Sequence, residues 1–354
     1  MSKKVCIINS CNMKYAPYVK LYTDILDECG CEYDIAIWDK CNLHENVTYS
    51  YHGKKNDGKM IKSFFQYIGF GSFINHILHG NDYEKLIICN PAPLIFVKDK
   101  LINKYKGKFI WDIRDDTPIR KVFKKRFAEI CRKAIIIVTS SRRYEEWINR
   151  NTILSHNASK DMIKKYLDYL PTHSEKTTTC LINAGKMIEQ EENIRVLKRL
   201  GNQSEYRFIY YGSDVPGKLE LIEYCQKNNL NNVEFFGTYD KNDIINIYRQ
   251  QGDLVNILRA NTAINRDALP NKLYEAVMAG VPIVVYEHNT AIANYVNEFQ
   301  LGIVLKNDSE VESIANKLST FDYGRYNEGR KAFLSKILDD IDTFERTVRS
   351  FVES

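Results

Sequence analysis

At 354 residues the chain exceeds one ordinary hydrophobic core and points to two domains of about 150–180 residues each. Its 44% apolar and 27% charged composition is that of a soluble globular protein, and no apolar run approaches the roughly 20 residues of a membrane span. The net charge of +5 divides unevenly: residues 1–170 carry 29 Lys and Arg against 19 Asp and Glu (+10), and the remainder 21 against 26 (−5), so one half suits an anionic partner and the other does not.

The N-terminal stretch "MSKKVCIINSCNM" has an apolar run that ends at Asn9, which reads as a first strand and not as a secretory signal. Strand-like runs follow at 33–38, 85–90, 108–113 and 134–140, each separated from the next by a helix-like segment. The polar string "YLPTHSEKTTT" (169–179) reads as an interdomain linker. A second series of strands is predicted at 180–185, 207–212, 233–237, 253–258 and 282–286. Short all-apolar strands alternating with helices indicate βαβ units and parallel sheets covered on both faces, with ligands held beyond the carboxyl ends of the strands. After Leu305 the pattern is helical to the end, with a break expected near Gly324. The nine cysteines show no C-x-x-C spacing and read as free thiols of a reducing compartment, so the predicted location is cytoplasmic. His76 and His79 have ligand-like spacing but no accompanying carboxylate or third His, and no metal is expected. The basic half has no recognisable nucleic-acid module, and no G-x-G-x-x-G follows any strand, which disfavours a dehydrogenase.

Two stretches of the basic half bear on partners. In "PIRKVFKKRFAEICRK" (118–133) a single helix would carry Ile119, Val122, Phe123, Phe127 and Ile130 on one face, with Arg120, Lys121, Lys124, Lys125 and Arg126 around the rest. The segment "IKSFFQYIGFGSFINHIL" (61–78) is rich in aromatics. Together they either seat the domain peripherally on an anionic membrane beside a lipid-linked acceptor, or pack into the core beneath solvated lysines.

The stretch "ALPNKLYEAVMAGVPIVV" (268–285) carries the sharpest chemistry. Pro270 suits the first turn of a helix whose unpaired N–H groups attract a phosphate. Glu275, about one and a half turns further on, either accepts hydrogen bonds from the vicinal hydroxyls of a ribose or is a solvated glutamate on an amphipathic helix. This stretch resembles the signature helix of the retaining glycosyltransferases of the GT-B fold (family 4), which pairs two acids as E-x7-E ahead of Gly-x-Pro, here Gly280-Val281-Pro282. The second acid is Glu275 and the first falls on Asp267, one methylene shorter. The loop before it, "RANTAINRDA", is about five residues longer than the family's spacing. "LINAGKMIEQEENIRVLKRL" resembles the family's strand, Gly-Arg and helix: Gly185 and Lys186 take the Gly-Arg positions, while the second cation falls on Glu191. In the first half, "FIWDIRDDTP" is similar to an Asp-x-His-Asp stretch, with Asp112, Arg114 and Asp115 at its positions, and His156 begins the counterpart of a Pro-Asn-Gly loop.

The resemblance implies an α/β, GT-B protein of two Rossmann-like domains with parallel sheets facing a cleft: an acceptor-binding domain over 1–170, a nucleotide-sugar domain over 171–330, and a C-terminal helix over 331–354 returning to the first domain. It implies a retaining transfer of a sugar from a nucleoside diphosphate, a UDP-sugar being favoured, to a glycan or lipid-linked acceptor in bacterial surface polysaccharide or glycoconjugate synthesis, with no cofactor. Lys186, Asp267 and Asp115 would carry catalysis. Glu275, Gly185, Lys186, Thr238, Tyr239, Ala268, Leu269, Pro270, Asn271 and Lys272 would bind the donor. Arg114, Asp112 and His156 would face the acceptor. A relative that binds nucleotide sugar or glycan without efficient turnover, or that partners an active transferase, is the other reading, motivated by Asp267, Glu191 and Arg114.

Overall fold

The computed structural model describes residues 4–53, 60–90, 92–172, 177–187 and 189–354. Of the expected linker, residues 173–176 lie outside the described residues. The chain divides into two compact units, residues 1–156 with 340–354, and residues 157–339.

The first unit runs β1 (Lys4–Asn9), α1 (Tyr18–Glu28), β2 (Glu32–Trp38), β3 (Tyr49–Tyr51), α2 (Met60–Gly80), β4 (Lys85–Cys89), α3 (Asp99–Lys104), β5 (Phe109–Ile113), α4 (Pro118–Val122), α5 (Lys124–Lys133), β6 (Ile136–Thr139), α6 (Glu145–Ile148) and β7 (Ile153–Leu154). Its sheet is seven-stranded in the order β3-β2-β1-β4-β5-β6-β7, with every pairing parallel. The strands are apolar and β-branched, and β4 and β5 are buried along their whole length, as a parallel sheet with both faces covered requires. One face packs Phe70, Ile74, Trp111 and Phe127; the other packs Tyr22, Leu26, Phe344 and Val348.

The second unit runs α7 (Lys160–Leu167), β8 (Thr179–Ala184), α8 (Gln190–Leu200), β9 (Tyr206–Tyr211), α9 (Pro216–Lys227), β10 (Val233–Phe236), α10 (Ile244–Gln251), β11 (Leu254–Asn256), α11 (Ala263–Asp267), α12 (Asn271–Ala279), β12 (Ile283–Tyr286), α13 (Thr290–Phe299), β13 (Gly302–Leu305), α14 (Ile314–Ser319) and α15 (Tyr323–Glu353). Its six strands lie in the order β10-β9-β8-β11-β12-β13, again all parallel. In both sheets the order reverses direction at the first strand, between β1 and β4 and between β8 and β11. Such a switch point opens a crevice at the strands' carboxyl ends.

The expected α/β architecture is therefore present, and α15 begins in the second unit and ends in the first. Phe344, Val348, Phe351 and Val352 join the first unit's core, and the Lys85 ammonium donates to the Val352 carbonyl at 3.2 Å and to Ser354 Oγ at 2.9 Å at the helix end, where a cation is favoured.

Several details depart from the sequence reading. Residues 157–170 belong with the second unit, where Arg330 donates to the carbonyls of Tyr166 and Tyr169 as well as to Val277 in α12. The unit division on the C-terminal side falls at 339/340, against an expected 330/331. The single helix expected over 118–133 is two: Thr117 caps α4, and Phe123 leaves helical geometry at φ −107°, ψ 40°, so Val122 is turned into solvent while Phe127 and Ile130 stay in the core. The C-terminal break lies at residues 320–322, where Asp322 Oδ1 accepts from the Arg325 N–H at 3.0 Å, and Gly324 sits inside α15. Strands β3, β7 and β13, not anticipated, are short edge strands.

The turn from α12 into β12 depends on glycine. Gly280 has φ +75° and its Cβ position is 2.6 Å from Pro171 Cβ, so a side chain meets both left-handed strain and a clash. Gly280→Ala is expected to destabilise the protein by about 2 kcal/mol or more, read from the shift of the urea unfolding midpoint. A midpoint within error of wild type would refute this.

Candidate active site

The second unit's switch point places the end of β8 beside the end of β11, and the residues that leave these strands build the site. After β8 the chain turns at Gly185, whose φ of +119° favours glycine and whose Cβ position lies 3.7 Å from Lys272 Cε. Gly212, after β9, approaches so closely that a Cβ would stand 2.2 Å from the Gly185 carbonyl oxygen. These two bare positions leave backbone open toward the start of α12.

Helix α12 begins at Asn271, with Pro270 as its extended N-cap (φ −76°, ψ 154°) and no side chain capping its first turn. Pro270 therefore precedes the helix where the sequence reading placed it within the first turn. The exposed Asn271 is followed by Lys272, whose ammonium donates to Asn183 Oδ1 at the end of β8. Burial, with Arg259 beside it, pushes Lys272 down to about 8 against the opposing pull of Glu275 and Glu189. Arg259 follows β11 and lies 3.6 Å from Glu189. Two cations thus meet at an uncapped helix N-terminus, an arrangement that attracts a phosphate or diphosphate.

Buried amides hold this arrangement. Asn183 Nδ2 donates to Asn193 Oδ1 at 3.3 Å, Asn256 Nδ2 donates to the same oxygen at 3.2 Å, and Asn193 Nδ2 donates to the Glu189 carbonyl at 2.8 Å. Glu189 accepts from Asn265 Nδ2 at 2.9 Å and from the Ala260 N–H at 3.1 Å, and so ties down the loop that carries Arg259. The loop that leads to the two acids contains the five-residue helix α11. Asp267 closes that helix, is buried, and sits 3.2 Å from Arg266 Nε. Ala268 and the buried Leu269 lead in extended form into Pro270.

Glu275 is half-buried one turn beyond Lys272. Burial raises its pKa, opposed by Lys272 and Lys241, and it acts in turn on Tyr239 and Tyr248. Tyr239, pushed up to about 12 by burial and by Glu275, stands edge-on to Tyr211 at 6.0 Å between ring centres. Tyr211 stacks on Phe236 at 4.6 Å and 12°. These rings form an aromatic shelf at the ends of β9 and β10, next to Gly212 and Gly237, with Thr238 exposed on its rim. A flat base would stack there while its ribose hydroxyls meet the carboxylate.

Lys186 is exposed beside Gly185, and Glu191 is an exposed acid in the first turn of α8, where it complements the dipole. The cationic group at this site is thus Lys272 with Arg259. Arg259, Glu189 and the four asparagines were missed in the sequence. The position of Arg259, directly past a parallel strand at a switch point, was the signal that could have found it.

In the first unit, Asp112 and Arg114 were expected to face an acceptor but face each other in the interior. The Asp112 carboxylate accepts from Arg114 Nη2 at 2.7 Å and from Tyr22 Oη at 2.8 Å, and the Arg114 guanidinium donates to the Ser155 carbonyl at 3.0 Å beneath the Tyr18 ring. Burial raises the Asp112 pKa against the pull of Arg114. His156 is buried, with Nε2 3.1 Å from Asp340 Oδ2. Asp115 is exposed and lines a cavity of about 200 Å³ at the β1/β4 switch point, with Ser10, Lys40, Asn90, Arg120 and Trp147.

Residues 170–322 match the family model described as glycosyl transferases group 1. Among solved structures, the chain is similar to sucrose-phosphate synthase from Thermosynechococcus elongatus, with a TM-score of 0.71 at 12% identity over 99% of this chain and 100% of that one. It is also similar to a glycosyltransferase from Rickettsia africae (TM-score 0.66, 12% identity, all of both chains). A third, Anabaena HepE in complex with UDP and glucose, aligns at a TM-score of 0.61 and 13% identity over the whole of both chains. No curated protein matches the sequence. At these identities the structural likenesses establish the fold.

Proposed function

Residues 170–322 belong to the glycosyl transferases of group 1, within a chain of GT-B fold, and on that premise we propose that the protein transfers a sugar from a UDP-sugar to a glycan or lipid-linked acceptor with retention of anomeric configuration. The observation that carries this reading is the convergence of Lys272, Arg259, Glu275 and the Tyr211–Tyr239 shelf at one switch point. In this reading the uracil lies on the aromatic shelf and Glu275 accepts from the ribose hydroxyls. Lys272 and Arg259 neutralise the diphosphate as its bond to the anomeric carbon breaks, which is electrostatic stabilisation of a leaving group. UDP is favoured because the Anabaena HepE structure contains UDP and glucose. Asp267 contacts donor hydroxyls, Lys186 reaches the diphosphate from its exposed side, and Asp115 accepts a hydrogen bond from an acceptor hydroxyl.

Calorimetric titration with UDP tests the donor half. Glu275→Ala removes hydrogen bonds to a charged acceptor and is expected to weaken UDP binding by about 10- to 100-fold. Equal affinity in wild type and variant would remove Glu275 from the ribose. The exposed Glu191, where the family's second cation is expected, favours a second reading in which the protein binds nucleotide sugar without turning it over. Binding accompanied by neither transfer nor donor hydrolysis would select that reading.

A further inference from the structure

Lys40 is the unusual group of the first unit's cavity. It follows Asp39 at the end of β2, and its half-buried ammonium lies 4.4 Å from the centre of the Trp38 ring and 5.9 Å from that of Tyr67. Burial pulls its pKa down, and the titratable groups that act on it are the thiols of Cys11 and Cys41. Asp39 is turned elsewhere, accepting from Asn12 Nδ2 at 2.6 Å and from the N–H groups of Leu43 and His44 at 2.9 and 3.0 Å. A partly desolvated ammonium over two aromatic rings, with no carboxylate partner among the described residues, is costly unless an anion enters beside it.

Tyr67 joins this group to a second feature. One helical turn earlier on α2, Phe64 stacks on Phe123 at 6.3 Å and 14° and meets Phe96 edge-on at 5.3 Å. Beyond them Phe65, Ile68 and Val122 are 67%, 39% and 75% exposed. The side chains of Lys121, Lys124 and Lys125 are exposed alongside. A run of exposed large apolar groups bordered by lysines, leading from a cavity that holds a half-buried ammonium, fits a molecule with an anionic head and an apolar tail.

Resting on the acceptor side of the function proposed above, we infer that Lys40 receives the phosphate of a lipid-linked acceptor whose hydrocarbon chain lies over Phe64, Phe65, Ile68 and Val122.

Titration of the full chain with farnesyl phosphate, farnesol and inorganic phosphate, followed by tryptophan fluorescence, tests this. Farnesyl phosphate is expected to bind at least tenfold tighter than either fragment. Lys40→Met is expected to abolish the preference over farnesol, Lys40→Arg to retain it, and the double variant Phe65→Ser, Val122→Ser to abolish the preference over inorganic phosphate. Equal binding of farnesol and farnesyl phosphate, or an unchanged preference in Lys40→Met, would overturn the role of Lys40. Equal binding of inorganic phosphate would overturn the lipid tail and leave a free phosphate as the ligand. UDP is titrated in the same samples. Loss of UDP binding with the farnesyl preference intact strikes at the glycosyltransferase reading, and the reverse pattern strikes at the acceptor alone.

Discussion

Lys272→Met is expected to lower kcat/KM with a UDP-sugar by about 10²- to 10³-fold while leaving the fold intact, because it deletes a positive charge aimed at a site where negative charge develops. The size of the effect follows from the surroundings. The half-buried ammonium donates to Asn183, and burial, with Arg259 beside it, lowers its pKa to about 8. Repulsion between these cations is relieved when a diphosphate enters, and little water remains to screen the attraction. Methionine keeps the length and the apolar stem, so the loss reports charge rather than packing. The same geometry sets a pH dependence. Below pH 8 Lys272 is protonated and binds the diphosphate; as pH rises through about 8 the proton is lost and UDP affinity falls. Since the bound anion raises the lysine pKa, UDP binding near pH 8 is expected to take up protons. Calorimetry in buffers of differing ionisation enthalpy measures that uptake, which Lys272→Met should abolish. A variant with wild-type kcat/KM, or unchanged proton uptake, would place the diphosphate elsewhere, with Lys186 the first candidate.

The two parallel sheets were legible in the sequence because most of the longer strands are short runs dominated by apolar residues and separated by helix-like segments, a pattern that fits a sheet covered on both faces. The edge strands β3 and β7 were not, since three and two residues carry no periodicity. Around the site, Glu275 and Lys272 were legible because both lie on one regular helix opened by a proline. Arg259 was not, because its approach to Lys272 is made by a loop folded through Glu189 and Asn265, contacts between residues some 70 apart in sequence. The opposite error arose at Asp112 and Arg114. Charged residues at a strand's carboxyl end suggest a site, yet here the side chains turn inward and neutralise one another across two residues.

Arg330→Met is expected to cost about 3–5 kcal/mol, the largest stability loss of any single charged side chain in the second unit. Arg330 is 1% exposed and its guanidinium is saturated by main-chain oxygens. It donates to Val277 at 2.7 Å and Met278 at 3.3 Å in the last turn of α12, and to Tyr166 and, at 2.8 Å, Tyr169 at the end of α7. Carbonyls in the last turn of a helix have no partner within it, and the negative end of the dipole lies there, so one cation satisfies two helix ends at once. Methionine fills much of the volume but leaves these buried acceptors unpaired. For a unit of this size the loss corresponds to a fall of roughly 8–15 °C in melting temperature. Neighbouring Lys331 provides the control: its 2.8 Å pair with Asp168 is exposed, and Lys331→Ala should move the melting temperature by no more than about 2 °C. Because α12 also carries Lys272 and Glu275, the surviving folded fraction of Arg330→Met should bind UDP more weakly than wild type. A melting temperature within about 2 °C of wild type for Arg330→Met would mean that water replaces the guanidinium at both helix ends, and that α12 is held in place by its apolar face alone.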